Sequence, residues 1–465
     1  MMSAYPGDTI VAISTAIGPG AIAVVRMSGE RAIAIADAVF RGRTSLADAP
    51  TQTAHYGTIV DAAGAVVDEV LLTLIRSPKS YTTEDMVEIG CHGGPVPARR
   101  VLDACLDAGA RPARSGEFTE RAFVAGRIDL VQAEAVADIV GARTRRGLEA
   151  ALGQLEGGLS SALLDLRERV LDARADVEAL VDFPEEEIAV EERSVVRRKI
   201  GDARSKVDEL LRNCEYGLAV REGVSVALVG KPNVGKSSLM NALLKRDRSI
   251  VTGEPGTTRD AIEEELHIDG VPIRLIDTAG WRDPGDEAER QGVGRARAAA
   301  RGASLSLLVV SGFDGLDEAD ASIAADLDPC RVLVVVNKTD VEPAIGDDEI
   351  DRFIVRWGNA GARAVRVSAL TGDGLPRLRS AIAEAALGEA AGDEPPLVTN
   401  ARHRDALLGA GEALDRAAGA WAGGTEPELV AVELMEASSA VGEIIGETTP
   451  EDVLARIFER FCVGK

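Results

Sequence analysis

Short apolar runs separated by polar loops dominate the middle of the chain, from about residue 220 to residue 385. Each run has the length of a buried strand, and helix-like patterns stand between the runs. The runs cover 224–229, 273–276, 332–336 and 364–367. Apolar strands that alternate with helices favour a parallel sheet with helices on both faces, so section 220–385 is predicted to be a doubly wound α/β domain.

The first 118 residues show a mixed pattern, in which strand-like runs stand beside one helix-like stretch. Strands are expected at 9–13, 21–25, 67–75 and 86–89, and a helix is expected at 30–40. This mixture predicts an α+β domain over residues 1–118.

Two further sections have apolar residues at spacings of three and four, which is the pattern of amphipathic helices. The first covers 119–219, and the second covers 386–465, where Pro395-Pro396 separates its helices from the preceding section. Thr449 and Pro450 are predicted to be the N-cap and the first residue of the last helix. Because domain termini often lie close together, we expect one all-α domain in two halves, with the α/β section inserted between them.

Composition narrows the function classes. The 465 residues include 52 basic and 76 acidic side chains, and a net charge of −24 argues against a protein that coats polyanions. An aromatic content of 3% argues against a stacking platform for single strands. The five cysteines form no Cys-x-x-Cys pair and no zinc-ligand spacing. No apolar run reaches the roughly 18 residues of a membrane helix, so a cytoplasmic protein is expected.

The run from Gly230 to Ser237 reads Gly-Lys-Pro-Asn-Val-Gly-Lys-Ser, which fits the phosphate-binding loop G-x-x-x-x-G-K-[ST]. It lies between an apolar strand and the start of a helix, which is the arrangement of a phosphate-binding loop. Backbone N–H groups of such a loop and the helix N-terminus attract phosphate oxygens. Lys236 is expected to reach the β- and γ-phosphates, and the Ser237 hydroxyl is expected to bind Mg²⁺.

Two further motifs follow in the order of a GTPase. The stretch from Gly256 to Asp260 occupies the place of a first switch, where Thr258 would complete the Mg²⁺ shell. Asp277-Thr278-Ala279-Gly280 ends the next strand, so Asp277 would hold Mg²⁺ through water and the Gly280 N–H would face the γ-phosphate.

The tetrapeptide Asn337-Lys338-Thr339-Asp340 predicts guanine as the base. Its last carboxylate can accept hydrogen bonds from guanine N1–H and the exocyclic amine, a donor pair that adenine lacks. Ser368-Ala369-Leu370 fits the last guanine loop, in which the Ala369 N–H would meet O6. The residues expected to bind GTP are Asn233, Val234, Gly235, Lys236, Ser237, Ser238, Thr252, Gly253, Glu254, Pro255, Gly256, Thr257, Thr258, Asp277, Thr278, Ala279, Gly280, Asn337, Lys338, Asp340, Ser368, Ala369 and Leu370.

The residue that orients the attacking water is left open by these motifs. Small signalling GTPases place a glutamine directly after Asp-x-x-Gly, whereas this chain has Trp281, whose indole cannot position water. The charged candidates that follow are Arg282, Asp283, Asp286, Glu287 and Glu289.

Outside the GTPase section, several stretches form a recognisable set: Asp8–Ala12, Val25–Gly29, Ser80–Asp85, Cys91–Gly94, Gly116–Thr119, Arg121–Phe123, Asp129–Ala135 and the terminal Cys462-Val463-Gly464-Lys465. With the inserted GTPase, the chain resembles the tRNA-modification GTPase family called MnmE or TrmE over essentially its whole length. The resemblance implies a folate-binding, dimerising α+β domain in front, a discontinuous helical domain, and a Ras-like P-loop GTPase domain inserted into it.

The same resemblance implies the ligands of the front domain. Arg26, Glu84, Arg127 and Lys465 match the family's folate contacts, and the donor would be 5,10-methylene- or 5-formyl-tetrahydrofolate. A folate's carboxylates need cations, and its pterin N–H donors suit a carboxylate. The family usually has lysine where this chain has Arg127. Cys462 matches the family's candidate reactive thiol.

For hydrolysis, the resemblance implies a bound K⁺ in place of an arginine finger, in a GTPase domain that dimerises across the nucleotide. Asn233 matches the potassium-ligand asparagine, and Thr252, Glu254 and Thr257 lie where the first switch would supply further oxygens. Glu289 matches the family's water-orienting acid, so Glu289, Lys236 and Cys462 are the expected catalytic residues.

The resemblance also implies the partners. A homodimer would join the FAD-containing protein MnmG (also GidA) in a heterotetramer that adds a (carboxymethyl)aminomethyl group to carbon 5 of the wobble uridine of certain tRNAs. Two alternatives stay open: a switch GTPase for ribosome assembly, and a folate-binding scaffold with a vestigial GTPase.

Overall fold

The computed structural model describes residues 8–182, 190–247, 263–277, 301–328, 331–342, 345–357, 363–387 and 398–465. These residues form two compact units. The first unit comprises the chain up to Val140, Gln154–Ile200 and Arg416–Lys465, and the second comprises Gly141–Gly153 and Gly201–Asp415.

The first unit contains a seven-stranded sheet in the order β3-β4-β5-β6-β2-β1-β7. Its strands are β1 Thr9–Ile13, β2 Ile22–Gly29, β3 Phe40–Gly42, β4 Thr53–Val60, β5 Val66–Ile75, β6 Met86–His92 and β7 Arg111–Pro112. All neighbours are antiparallel except β1 and β7, which are parallel. The helices α1 Ala32–Val39 and α2 Pro95–Asp107 pack with buried residues of β2, β5 and β6 in one core.

Helices make up the rest of the first unit. They are α3 Glu117–Val124, α4 Leu130–Gly141, α6 Gly158–Asp182, α14 Pro427–Ile445 and α15 Glu451–Glu459, together with parts of α5 Arg145–Leu155, α7 Val190–Leu211 and α13 Ala401–Ala422. Helix α6 packs along α14, where Leu163, Val170, Val430 and Leu434 are fully buried. Helices from the two helical sections of the sequence therefore share one core.

The second unit contains a six-stranded sheet in the order β13-β12-β11-β8-β10-β9, parallel except for the pair β9 and β10. Its strands are β8 Val224–Val229, β9 Glu263–Ile268, β10 Val271–Asp277, β11 Leu305–Ser311, β12 Val332–Asn337 and β13 Ala364–Arg366. Its complete helices are α8 Cys214–Glu222, α9 Lys236–Asp247, α10 Glu318–Ala325, α11 Asp347–Trp357 and α12 Leu375–Leu387.

Both faces of this second sheet are buried, which explains the continuous apolar runs of the sequence. In β12, Leu333 and Val335 enter one core, whereas Val334 and Val336 enter the core on the other face. The predicted fold class is confirmed, because the chain combines an α+β sheet unit, packed helices and a doubly wound P-loop sheet.

Some local predictions were wrong or incomplete. Strand β4 and helix α2 were not predicted, because β4 is rich in small and polar residues with only a short apolar end, and α2 has prolines at two of its first three positions. Thr449 is not the N-cap of the last helix. Pro450 occupies that position with extended backbone angles, and the Thr449 hydroxyl donates instead to the carbonyl of Glu443 at 2.8 Å.

Candidate functional site

The glycine loop lies between β8 and α9, at the carboxyl edge of the second sheet, and two of its glycines are sterically required. Gly230 has φ +150°, and a Cβ there would lie 2.2 Å from the Val309 carbonyl oxygen. Gly235 has φ +95°, and its Cβ would lie 2.3 Å from Nδ2 of Asn337. Any side chain at either position forces the loop out of this conformation.

Lys236 is buried at the start of α9, and its ammonium group points back into the loop. Nζ donates to the carbonyl oxygens of Gly230 and Lys231, each at 2.8 Å. Burial lowers the pKa of Lys236 from its ordinary value, because the charged form loses hydration. The loop therefore concentrates a poorly hydrated cation where α9 begins, and an anion there would be held strongly.

Ser237 and Asp277 form an oxygen pair next to this loop. The Ser237 hydroxyl donates to Oδ2 of Asp277 at 2.9 Å. Oδ1 of Asp277 is buried and has no hydrogen-bond partner among the described residues. A hydroxyl beside an unsatisfied carboxylate oxygen is the kind of hard donor set that Mg²⁺ prefers, so these residues fit the metal.

Asn337 connects the loops that the sequence assigns to phosphate and to base. Its buried side chain donates through Nδ2 to the Val234 carbonyl at 2.8 Å. Its Oδ1 accepts from the backbone N–H of Ala369 at 3.0 Å. Oδ1 of Asp340 accepts from the Ser368 hydroxyl at 2.6 Å, which fixes that carboxylate beside the last loop. Three loops from separate parts of the sequence thus meet at one edge of the sheet.

The side chains of several predicted GTP contacts differ in their surroundings. Val234 is buried in the core, so its side chain faces away from solvent, whereas Leu370 is 85% exposed. Lys338 has φ +62°, a left-handed conformation, and its Nζ lies 3.7 Å from Asp314. Residues 233, 237 and 238 are exposed at the loop surface.

Lys231 fastens the glycine loop to α10, and sequence patterns did not reveal this contact. Its Nζ lies 2.8 Å from Oδ2 of Asp317 and 2.8 Å from Oδ2 of the fully buried Asp320. Asp317 also caps α10 by accepting from the backbone N–H groups of residues 319 and 320. Burial raises the pKa of Asp320 above its ordinary value. Asp317 and Asp320 have the spacing of a helix-capping pair, but nothing in the sequence indicated that Lys231 is their partner.

Several predicted site residues lie outside the described residues: Thr252, Gly253, Glu254, Pro255, Gly256, Thr257, Thr258, Thr278, Ala279, Gly280, Trp281 and Glu289. The same holds for the other candidates for water orientation, Arg282, Asp283, Asp286 and Glu287. Their roles stay predictions.

In the first unit, the predicted folate residue Glu84 is held by two partners. Nη1 of Arg121 donates to both carboxylate oxygens at 3.0 Å, and the Ser28 hydroxyl donates to Oε2 at 2.7 Å. Arg26 lies on β2, where its Nε donates to Glu88 of the paired strand β6 at 2.9 Å. Its guanidinium carbon lies 5.9 Å from the centre of the Tyr81 ring.

A buried ion network fixes Arg121 itself. Nη2 of Arg121 donates to Asp8 at 2.5 Å and to Glu117 at 3.1 Å, and Arg111 also pairs with both acids. Glu117 is fully buried. Burial alone would raise the pKa of Glu117, but hydrogen bonds from Arg111, the Arg114 backbone N–H and Arg121 outweigh it and lower the pKa to about 2. The network was not predicted from the sequence: Glu117 and Arg121 are four residues apart on α3 and could have been paired, whereas the contacts with Asp8 and Glu84 join residues distant in sequence.

The chain end is fastened to the same region. The Gly464 carbonyl accepts from the Ser14 hydroxyl at 3.0 Å and from Nη1 of Arg26 at 3.3 Å. The backbone N–H of Phe118 donates to the carbonyl oxygen of Lys465 at 3.2 Å. Arg26, Glu84 and Lys465 therefore stand on elements that contact one another directly or through α3. The fourth predicted folate residue, Arg127, donates through Nη1 to the carbonyl of Tyr81, in the same segment as Glu84, at 3.2 Å.

Cys462 differs from the other described cysteines. Cys91, Cys105 and Cys214 are buried, and burial raises the pKa of each, to about 12 for Cys105. Cys462 is exposed on the fastened tail. Within the described part of the chain, it is thus the free thiol that solvent and substrates can reach.

Two negative findings apply to the described residues. No described helix is long and apolar enough to span a membrane. No group of three or more His, Cys, Asp or Glu side chains is arranged to hold a metal ion among them.

Comparison with known proteins gives two family matches. The family described as MnmE helical domain matches residues 130–462, and the family described as GTP-binding protein TrmE N-terminus matches residues 9–127. Three similar proteins, from Acetivibrio thermocellus, Geobacillus thermodenitrificans and Moorella thermoacetica, are each named tRNA modification GTPase MnmE.

The similarity to these relatives extends over the whole chain. The identities are 40%, 44% and 45% over 463, 464 and 465 residues, in the order given above. The alignments cover 99%, 98% and 98% of this chain and 100%, 99% and 99% of the relatives.

Replacing Glu117 by glutamine is expected to destabilise the first unit at pH 7 by about 3–5 kcal/mol, since Arg111 and Arg121 would lose a buried counter-charge. The pKa of Glu117 is about 2 in the fold against 4.5 ordinarily, so its stabilisation is complete above 4.5 and is lost as pH falls toward 2. The difference from wild type should therefore shrink over that range, as measured by urea unfolding followed by circular dichroism.

The matched control for this experiment is Glu120→Gln on the same helix, which removes a partly exposed ion pair with Arg114. A loss below about 1 kcal/mol is expected there. Equal stability of the Glu117 variant and the wild type at pH 7 would contradict the role of the network.

Proposed function

The chain belongs to the MnmE family of tRNA modification GTPases and is a GTP hydrolase of tRNA modification, and from this premise we propose how its residues bind GTP, a folate donor and their ions. The observation that supports the GTP assignment best is the pair of hydrogen bonds made by Asn337. They connect the glycine loop to the loop of Ala369, so the residues proposed to bind phosphate lie beside the residues proposed to bind the base.

The base is held by Asp340 and the phosphates by Lys236 in this proposal. Ser368 occupies only one oxygen of Asp340, which leaves acceptor capacity for guanine N1–H and the exocyclic amine. Lys236 would exchange its two carbonyl partners for β- and γ-phosphate oxygens. The Ala369 N–H, which donates to Oδ1 of Asn337 at 3.0 Å, would turn to O6 of guanine when the base binds.

Mg²⁺ would be bound by Ser237 and Thr258, with Asp277 as the acid behind its water ligands. The unsatisfied Oδ1 of Asp277 supports this assignment. When bound, the ion supplies positive charge to the phosphates. The chain's own contribution is to hold the Ser237 hydroxyl oxygen and Oδ2 of Asp277 at 2.9 Å from each other.

For hydrolysis we propose that Glu289 orients the attacking water, because Trp281 cannot. K⁺ would be held by Asn233 with Thr252, Glu254 and Thr257, and it would supply the charge of an arginine finger. Asn233 fits this role, because its left-handed backbone, with φ +64°, places an exposed amide in the loop. No described residue occupies that amide through a hydrogen bond.

In the first unit we propose a folate site built from Arg26, Glu84, Arg127 and Lys465, with Cys462 as the reactive thiol. The donor would be 5,10-methylene- or 5-formyl-tetrahydrofolate. Arg121 and Ser28 fix the Glu84 carboxylate, and lone pairs remain on it for pterin N–H donors. The tail supports this site, because Gly464, two residues after the exposed Cys462, accepts a hydrogen bond from Arg26.

The wider assembly follows from the same family relation and stands as part of the proposal. A homodimer of this chain would work in the cytoplasm with an FAD-containing MnmG partner in a heterotetramer. Together they would add the (carboxymethyl)aminomethyl group to carbon 5 of the wobble uridine of tRNA. GTP turnover would drive a conformational cycle, while the one-carbon chemistry occurs at the folate site.

The base assignment predicts that Asp340→Asn exchanges guanine for xanthine specificity. Xanthine carries a carbonyl where guanine has its exocyclic amine, and an asparagine amide can donate to that oxygen. GTP affinity should fall at least a hundredfold and xanthosine triphosphate affinity should rise, as measured by nucleotide titration. Asp373→Asn, an exposed change on the neighbouring loop, is the control, and an Asp340 variant with unaltered preference would refute the assignment.

The potassium assignment predicts faster GTP hydrolysis in K⁺ than in Na⁺, by at least tenfold, and loss of that difference in Asn233→Gly. Glycine keeps the left-handed backbone and removes the amide oxygen. Asp269→Gly, another substitution at a positive φ in the same unit, is the control that should retain the K⁺ effect. Identical rates in the two salts for the wild type would exclude the ion.

The tRNA chemistry predicts that Lys236→Ala and Cys462→Ser each fail to restore the wobble modification in cells lacking the protein. Mass analysis of the wobble nucleoside is the measurement, because each variant removes one of the two proposed sites. Lys245→Ala and Val463→Ala, which change exposed neighbours, should restore it. Full restoration by both test variants would show that the site residues are assigned wrongly.

A further inference from the structure

An open groove of about 610 Å³ lies in the first unit between the segment 78–83 and the turn 125–127. Its lining includes Lys79, Tyr81, Thr83, Gly126 and Arg127. The volume falls in the range of roughly 300–1,000 Å³ that ligand pockets occupy. Of its lining residues, only Arg127 belongs to the proposed folate contacts, so most of the groove has no assigned ligand.

The two cations of this groove lack the acidic partners that Arg26, Arg111 and Arg121 have. Arg26 pairs with Glu88, and Arg111 and Arg121 share Asp8 and Glu117. By contrast, neither Lys79 nor Arg127 forms an ion pair with any described residue. In a chain of net charge −24, two unneutralised cations in one groove, without an acid in its lining, form a local site for carboxylates.

Tyr81 connects this groove to the proposed folate site. The Arg127 guanidinium carbon lies 4.9 Å from the centre of the Tyr81 ring, and that of Arg26 lies 5.9 Å from the same centre. Nη1 of Arg127 donates to the Tyr81 carbonyl at 3.2 Å, and the Tyr81 hydroxyl is within 3.0 Å of the Thr119 hydroxyl. The ring thus lies close to both arginines, and a molecule that contacts Arg26 can continue past Tyr81 into the groove.

We propose that this groove binds a γ-linked oligoglutamate tail on the folate donor, with Arg127 at the first glutamate and Lys79 at a later one. The inference rests on the proposed folate site and adds the substrate class, a polyglutamylated rather than a monoglutamylated folate. Each further glutamate carries one carboxylate, which matches a groove with one cation beyond Arg127. The planar Arg127, stacked on Tyr81, suits a bidentate carboxylate contact, whereas Lys79 acts as a mobile point charge.

The test compares the dissociation constants of 5-formyl-tetrahydrofolate monoglutamate and triglutamate by titration calorimetry with the full-length protein. Wild type is expected to bind the triglutamate about tenfold more tightly than the monoglutamate, and added salt should reduce that ratio because the contacts are exposed. Lys79→Gln should reduce triglutamate affinity about fivefold more than monoglutamate affinity. Arg43→Gln removes an exposed cation outside the groove and should leave the ratio as in wild type.

The outcomes separate the tail site from the folate site. Equal affinity of wild type for both folates would overturn the tail site and leave the proposed folate site standing. Absence of binding by either folate would overturn both. An equal loss for the two folates in Lys79→Gln would also overturn the tail assignment, as would reduced tRNA affinity in that variant with an unaltered triglutamate advantage. A selective loss of the triglutamate advantage would support it.

Discussion

Both candidate sites depend on one constraint: a polar group that is buried on folding needs a hydrogen-bond or ion-pair partner. A buried donor or acceptor without a partner costs about 1–3 kcal/mol, so each buried amide or charge fixes the positions of the groups around it. Asn337 is the clearest case. Its amide satisfies one carbonyl and one N–H from loops more than thirty residues away on either side, and these loops meet because only there are all three groups satisfied.

The same constraint organises the first unit, with charges in place of amides. Arg121 is almost completely buried, and it is tolerated because Asp8, Glu117 and Glu84 surround its guanidinium. These acids come from the chain start, the loop before β6 and α3, so the ion network fixes segments that sequence order separates. The carbonyl of the chain's last residue then bonds to α3, and the tail reaches the same region through backbone contacts.

Sequence patterns predicted most of the second unit because strands buried on both faces are continuous apolar runs, as in β8 and β12, although β11 was not predicted. The positions of Gly230, Lys236 and Asp340 could be predicted for the same reason, since each stands at the end of such a run. Arg121 and Lys231 were recognised as motif members, but their partners were not predicted. An ion pair between residues distant in sequence leaves no periodicity, and only the folded chain brings Asp320 to Lys231.

The polar groups of the two candidate sites differ in whether the chain itself supplies them with a hydrogen-bond or ion-pair partner, and this difference affects how strongly a ligand binds. In the second unit, Lys236 and Ser237 have protein partners, and a nucleotide must displace these partners before it gains its own contacts. The net affinity is therefore smaller than the sum of the new bonds. Asp277 Oδ1 and the Lys79 ammonium group have no hydrogen-bond or ion-pair partner among the described residues, so a cation or a carboxylate that binds there gains its contact without breaking another. Arg127 donates to the Tyr81 carbonyl but has no acidic partner among these residues, so its charge is also available to a carboxylate.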